Sequence, residues 1–188
     1  MFIFSIRLLS FGYSQQEILI APNVLGKLVL RLWLSQSILK IGFDEAVEFQ
    51  PDFYLLYGRG RLWQLIRKMS IFNKAYRDNF IFDYSRTVKD MLKRDTRAYK
   101  IFSCVTPSWD NSSRRKSFAT ILKDSHPDIY KDWLKTVIEK FLPPSTEENL
   151  VFINAWNEWA EGNHLEPGQK WGRAYLEATR RAINSQIG

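Results

Sequence analysis

"LVFINAW", residues 150 to 156, has no polar alternation and runs straight into "NEWAEGNHLEP", residues 157 to 167. A strand wetted on one face alternates apolar and polar side chains, whereas a strand covered on both faces does not. The run therefore predicts a buried strand, and Gly162, Pro167 and Gly168 mark the residues after it as a loop. Strands of this kind belong to parallel sheets sheathed by helices, which need further strand, loop and helix units upstream.

Such units are present. "FIFDY" (80–84) reads as a short buried strand, with a helix from Ser85 to about Lys93 behind it, and "YKIFSCV" (99–105) reads as a second strand ended by Pro107. Residues 127–142 read as a helix, because Ile129, Tyr130, Trp133, Leu134, Val137, Ile138, Phe141 and Leu142 recur at the helical period. Ser125 and Asp128 supply a capping box, with Pro127 in the first turn. A last helix over about 170–185 lines up Trp171, Tyr175, Ala178 and Ala182. Another, over 61–77, carries Leu62, Leu65, Ile66, Met69 and Phe72 on one face. "GFDEAVEFQPDF", from Gly42, suits a loop leaving a strand. Residues 1–41 are apolar on most sides and read either as one buried helix or as a damaged beginning.

Alternation of this order argues for an α/β fold with parallel strands and helical crossovers. Neither a dinucleotide glycine fingerprint nor a phosphate loop occurs, so a doubly wound sheet lacks its usual signature. The expectation is a (β/α)8 TIM barrel. Such barrels typically need about 250 residues, so 188 residues predict a partial one, its C-terminal half to two-thirds. The domain division is then 1–41, unassigned, and 42–188, the partial barrel.

Composition narrows the function. With 45% hydrophobic and 25% charged residues the chain can bury a core. The net charge of +7 is uneven: residues 59–100 hold 12 Lys or Arg against 4 Asp or Glu, while residues 101–188 balance at 11 each. No basic-and-aromatic motif accompanies the excess, so a solvated helical surface is favoured over nucleic acid as its explanation. Cys104 is the single cysteine, which rules out an internal disulfide, and it forms no metal motif. No signal peptide is read at the start. The most apolar candidate span, 24–41, is interrupted by Lys27, Arg31 and Lys40, so no integral membrane segment and a cytoplasmic location are expected.

In barrels, chemistry gathers where the loops leave the C-terminal strand ends. Three polar clusters fall there. Glu158 and Glu161 lie three residues apart, and one helical turn would set them side by side. Glycosyl transfer wants two carboxyl groups near one anomeric carbon, one of them donating a proton to the leaving oxygen. The competing reading has Asn157, Glu158 and Glu161 capping the last helix while Trp156 and Trp159 fill the barrel end. His164 lacks a second ligand at metal spacing and reads as a hydrogen-bonding group. In the middle cluster, Asp110 and Asn111 after Trp109 hold sugar hydroxyls with the ring stacked on a sugar, or order the loop as an Asx-turn. Arg114 and Arg115 at its end read as a surface pair or as an anion binder. Asp83 and Tyr84 stand at a strand end, like site residues or a buried tyrosine with its partner.

"FINAWNEWAEGNHLEP", then "GRAYLEA", resembles the closing signature of the WbsX-like proteins of bacterial polysaccharide loci, relatives of the family 99 glycoside hydrolases that act as endo-α-mannosidases. "GFDEAVEFQP", "FDYSRTV" and "SWDNSSRR" resemble the family's earlier blocks, in order. The resemblance covers about residues 42–186, and residues 1–41 do not share it. Ser108 stands where a glycine is usual.

The resemblance implies a (β/α)8 barrel, a glycan or sugar donor and acceptor as partners, and no cofactor. It implies that Glu158 assists attack by the sugar's own 2-hydroxyl and that Glu161 acts on the glycosidic oxygen as acid, then base. Trp109, Asp110, Asn111, Asn157, Trp159, Asp83, Tyr84 and His164 complete the expected substrate-binding set. The expected function is an enzyme cleaving or transferring glycosyl groups on mannoside-like glycans in cell-surface polysaccharide and lipopolysaccharide metabolism. An inactive remnant or lectin-like module is the alternative, and a partner supplying the missing barrel half is part of the expectation.

Overall fold

The structure, a computed structural model, describes residues 3–7, 18–20, 28–30, 45–48, 50–58, 73–93, 101–142 and 149–185. In chain order the strands are β1 (Ile3–Arg7), β2 (Ile18–Ile20), β3 (Leu28–Leu30), β4 (Glu45–Val47), β5 (Phe80–Asp83), β6 (Ile101–Phe102), β7 (Cys104–Val105), β8 (Thr120–Lys123), β9 (Leu150–Asn154), β10 (Asn157–Glu158) and β11 (Asn163–His164). The helices are α1 (Phe53–Gly58), α2 (Lys74–Asp78), α3 (Tyr84–Met91), α4 (Pro127–Lys140) and α5 (Ala174–Asn184).

The apolar run at 150–154 is a strand covered on both faces. Val151 and Ile153 join the main core with the helices, while Phe152 turns to a smaller cluster with Val47, Phe102 and Cys104. β9 pairs parallel with β7, and β4 pairs parallel with both β3 and β6. Between β6 and β7, Ser103 marks a hand-over: Phe102 O accepts from Glu48 N at 2.8 Å, whereas Ser103 O accepts from Phe152 N at 2.9 Å. The segment 101–105 thus lies between β4 and β9, and their C-terminal ends share one rim.

Two features depart from the expected run of parallel strands. β5 joins none of these partners and pairs parallel with β8, a strand that its own sequence does not announce. β8 comes after a polar loop and is only four residues long, too short for its alternating burial to stand out. β1 pairs antiparallel with β9 and β2. Among the described residues the fold is therefore mixed α/β with short parallel sheets and no closed barrel. The described parts of 1–41 are strands rather than one buried helix. Of the helix expected over 61–77, residues 61–72 lie outside the described residues, and 74–78 are helical. No helix among the described residues is long and apolar enough to cross a membrane.

α4 buries Tyr130, Trp133, Leu134 and Ile138, the stripe its spacing predicts, and Leu142 falls beyond its end, exposed. Its cap differs from expectation: His126 Nδ1 accepts from Asp128 N at 3.2 Å, while Ser125 Oγ donates to Leu122 O instead. Pro127 occupies the first turn, where its missing N–H costs nothing. α5 packs on α4 through an edge contact of Tyr130 with Tyr175 at 5.6 Å and a Tyr130 to Thr179 hydroxyl bond of 3.0 Å.

Burial pushes the hydroxyls of Tyr84, Tyr130 and Tyr175 above their ordinary titration range. Above about pH 10 the unfolded chain releases tyrosine protons that the folded chain retains, so stability falls as pH rises. Stability should vary little with these groups near neutrality and drop beyond that point, with unfolding and tyrosinate absorbance rising together. Ionisation of Tyr84, Tyr130 and Tyr175 while the fold persists would contradict this.

Candidate active site

The loops leaving β4, β7 and β9 are tied together from inside. Tyr84 Oη donates to Thr106 O at 2.6 Å, and Thr106 Oγ1 bonds Asn163 Oδ1 at 2.9 Å, all three residues being buried. Asn154 Nδ2 donates to Gln50 O at 2.6 Å. Buried polar groups cost stability unless paired, so these bonds fix the loops relative to one another.

On that base sits the acidic segment, which folds as a two-stranded ribbon of β10 and β11 around a 3-10 turn, Trp159–Glu161. Glu158 flanks the turn and Glu161 closes it. The two carboxylates have different surroundings. Glu158 is half-buried and makes no side-chain hydrogen bond or ion pair among the described residues. Glu161 is buried and ion-paired with Arg114, 47 residues away in the chain. Neither caps the last helix, whose N-cap is Arg173.

The loop behind β7 clamps this turn. Asp110 N donates to Glu161 O at 2.7 Å, Ser108 Oγ to Gly162 O at 2.6 Å and Ser113 Oγ to Ala160 O at 3.0 Å. Ser108 thus contributes a side-chain bond that a glycine at this position could not make. Gly162 ends the turn at φ +56°, and a Cβ there would lie 2.8 Å from Asp110 O. A left-handed glycine after the last helical residue is a readable signal. Arg114 gives none, because its partner is distant in sequence.

The remaining expected residues divide. Trp159 is 48% exposed, stacks on His164 with ring centroids 3.7 Å apart, and donates from Nε1 to Glu166 Oε2 at 2.6 Å. His164 Nδ1 is 2.9 Å from Glu166 O, and Asn157 is half-buried opposite His164 in the ribbon. Trp109 is 3% exposed with its ring edge-on to Phe53 at 5.2 Å. Asp110 is exposed and accepts from Ser112 N at 2.9 Å, an Asx-turn. Asn111 is buried, its side chain accepting from Thr120 N at 2.8 Å. Asp83 caps α3 by accepting from Arg86 N at 2.7 Å, and Tyr84 lies in the core. No group of His, Cys, Asp and Glu among the described residues has the arrangement of a metal site.

Residues 17–179 match the model of the family described as Glycosyltransferase WbsX. The chain belongs to the WbsX family. The match begins ahead of Gly42, where the motif-bearing blocks start. It is also similar to the uncharacterized protein WxcX of Xanthomonas campestris pv. campestris: 38% identical over 144 residues in strain B100 and 37% over 144 residues in strain ATCC 33913. Each alignment covers 76% of this chain and 20% of the relative, so the WbsX chain described here matches about a fifth of those proteins' length. No solved structure matches it.

The Arg114–Glu161 pair invites a direct measurement. Removing one partner of a fully buried pair costs about 3–5 kcal/mol, and half-exposure of Arg114 reduces this. Arg114→Ala should lose about 1–2 kcal/mol in denaturant unfolding. Combined with Glu161→Gln, it should lose less than the two single losses added, because both delete one interaction. Strict additivity would show that the pair is not coupled in solution.

Proposed function

We propose that this WbsX chain is a carbohydrate-active domain that transfers or cleaves glycosyl groups in cell-surface polysaccharide metabolism, with Glu158 and Glu161 handling the protons. One observation carries the reading: two carboxylates flank a single 3-10 turn at the rim of β9, one without a partner among the described residues and the other charge-balanced by Arg114. Unequal surroundings are what two carboxyl groups need to take unequal roles. Glu158, free of internal bonds to the described residues, is available to a sugar hydroxyl. Glu161 faces the glycosidic oxygen once the substrate loosens the hold of Arg114. Asn157, Trp159, His164 and Asp110 belong to the sugar-binding part of this proposal, Tyr84, Trp109 and Asn111 support it from within, and Asp83, exposed, supports it by capping α3.

We further place residues 42–188 in a partial (β/α) barrel of which β4, the 101–105 strand and β9 are consecutive members. The parallel register of these segments supports that placement. Completion of the barrel by strands from elsewhere belongs to the same proposal. The test is incubation of the purified chain with mannose-containing oligosaccharides and with nucleotide sugars plus acceptors, and then product analysis. Glycosidic cleavage or transfer supports the reading.

A second reading, glycan binding without turnover, is favoured by the ion pair itself, since a carboxylate neutralised by a guanidinium is not free to exchange protons. Saturable binding with no product under every donor and acceptor would select it.

A further inference from the structure

Beside the carboxylate turn lies a cleft of about 530 Å³, within the range of small-molecule sites, and neither Glu158 nor Glu161 lines it. Its aromatic walls are Trp159, stacked on His164, and Trp171 with Tyr175. We propose that this cleft between Trp159 and Trp171 binds a neutral, hexose-containing glycan. The proposal takes its ligand class from the carbohydrate-active reading above but is independent of any chemistry at the two glutamates.

Three observations carry it. Trp159 is held by its bond to Glu166 and by the His164 ring, yet remains 48% exposed. A fixed, half-exposed indole is a platform for the apolar C–H face of a sugar, ordered before the ligand arrives. Trp171 is anchored by the edge contact with His126 at 4.9 Å, and its own cover is the flexible Lys170, 5.1 Å from the ring centre. Lys170 can swing aside for a ligand at little cost.

The charges select the ligand. Lys123 and Lys170 are matched in the lining by Asp110 and Asp124, with Lys123 and Asp124 paired at 3.2 Å. Fixed charges that cancel give neither a polyanion nor a cation an advantage, whereas a polyol finds both donors and acceptors. Tyr175 supplies the third observation. It is only 5% exposed, it forms part of the cleft wall, and its hydroxyl has no hydrogen-bond partner among the described residues. A buried hydroxyl without a partner is uncommon, and a ligand hydroxyl would satisfy it once the cleft side chains shift to expose its oxygen, which is closed to solvent in the free chain.

The test uses the full chain, tryptophan fluorescence and calorimetry, with short manno- and gluco-oligosaccharides as probes and dextran sulfate as the polyanionic control. Neutral probes should bind saturably. Trp171→Ala should weaken binding about 3- to 10-fold, the worth of an aromatic contact. Tyr175→Phe should weaken it about 2- to 10-fold, the worth of one hydrogen bond, without lowering the unfolding midpoint. That combination separates a ligand partner from a structural one, since a hydroxyl bonded inside the protein would cost stability when removed. Glu161→Gln should bind as tightly as the unaltered chain, so loss of turnover and loss of binding report on different proposals. Absence of neutral binding, indifference to both Trp171→Ala and Tyr175→Phe, or preference for dextran sulfate would each overturn the assignment.

Discussion

Glu161→Gln is expected to lower glycan turnover by about 10²- to 10⁴-fold, the usual contribution of a positioned acid–base group, while the chain stays folded. Glutamine keeps an oxygen for the Arg114 guanidinium and a similar shape, but it neither carries nor releases the proton. Glu158→Gln should produce a comparable kinetic loss with no change in stability, because its carboxylate has no internal partner to lose among the described residues. Glu161→Gln should add a small stability cost, since a charged pair becomes a neutral hydrogen bond. Rates and denaturation curves on the same preparations check both. Turnover by Glu161→Gln equal to that of the unaltered chain would remove the assigned role, whatever the stability result.

Gly162→Ala should be among the most damaging single-methyl additions. Its backbone is left-handed, which costs a residue with a side chain about 1–2 kcal/mol, and the new Cβ would meet the backbone oxygen of Asp110 at 2.8 Å. Neither atom is the end of a flexible side chain, so relief requires the 159–162 turn and the 106–114 loop to part. The bonds from Asp110 N to Glu161 O and from Ser108 Oγ to Gly162 O then stretch together. A total loss of about 2–4 kcal/mol is expected, together with reduced turnover. Wild-type stability in the variant would mean that the two loops are not in contact in solution.

Much of this arrangement can be read from the chain. Both-sided burial of β9, the stripe of α4 and the order of strand, loop and helix arise from patterns of apolar residues, which respond to local spacing. What stays hidden depends on partners remote in sequence. β8 is four residues long and pairs with β5 across 40 positions, so local periodicity carries too little signal. His126 replaces the expected Ser125 cap because imidazole nitrogen can accept where serine hydroxyls usually do. In the acidic loop, the spacing of Glu158 and Glu161 is visible, but the turn between them is 3-10, flanked by a small ribbon. Arg114, which reads with Arg115 as a surface feature or anion binder, is salt-bridged to one carboxylate, a matter of three-dimensional approach alone.

The interior bonds joining Tyr84, Thr106 and Asn163, and Asn154 to Gln50, have an evolutionary corollary. They make a collar whose members must change in concert, whereas Arg115, Lys116 and Ser117, beyond the Arg114 contact with Glu161, are exposed and lie outside it. Substitutions along that outer fringe should therefore be borne singly, where a change in the collar needs a matching one across it.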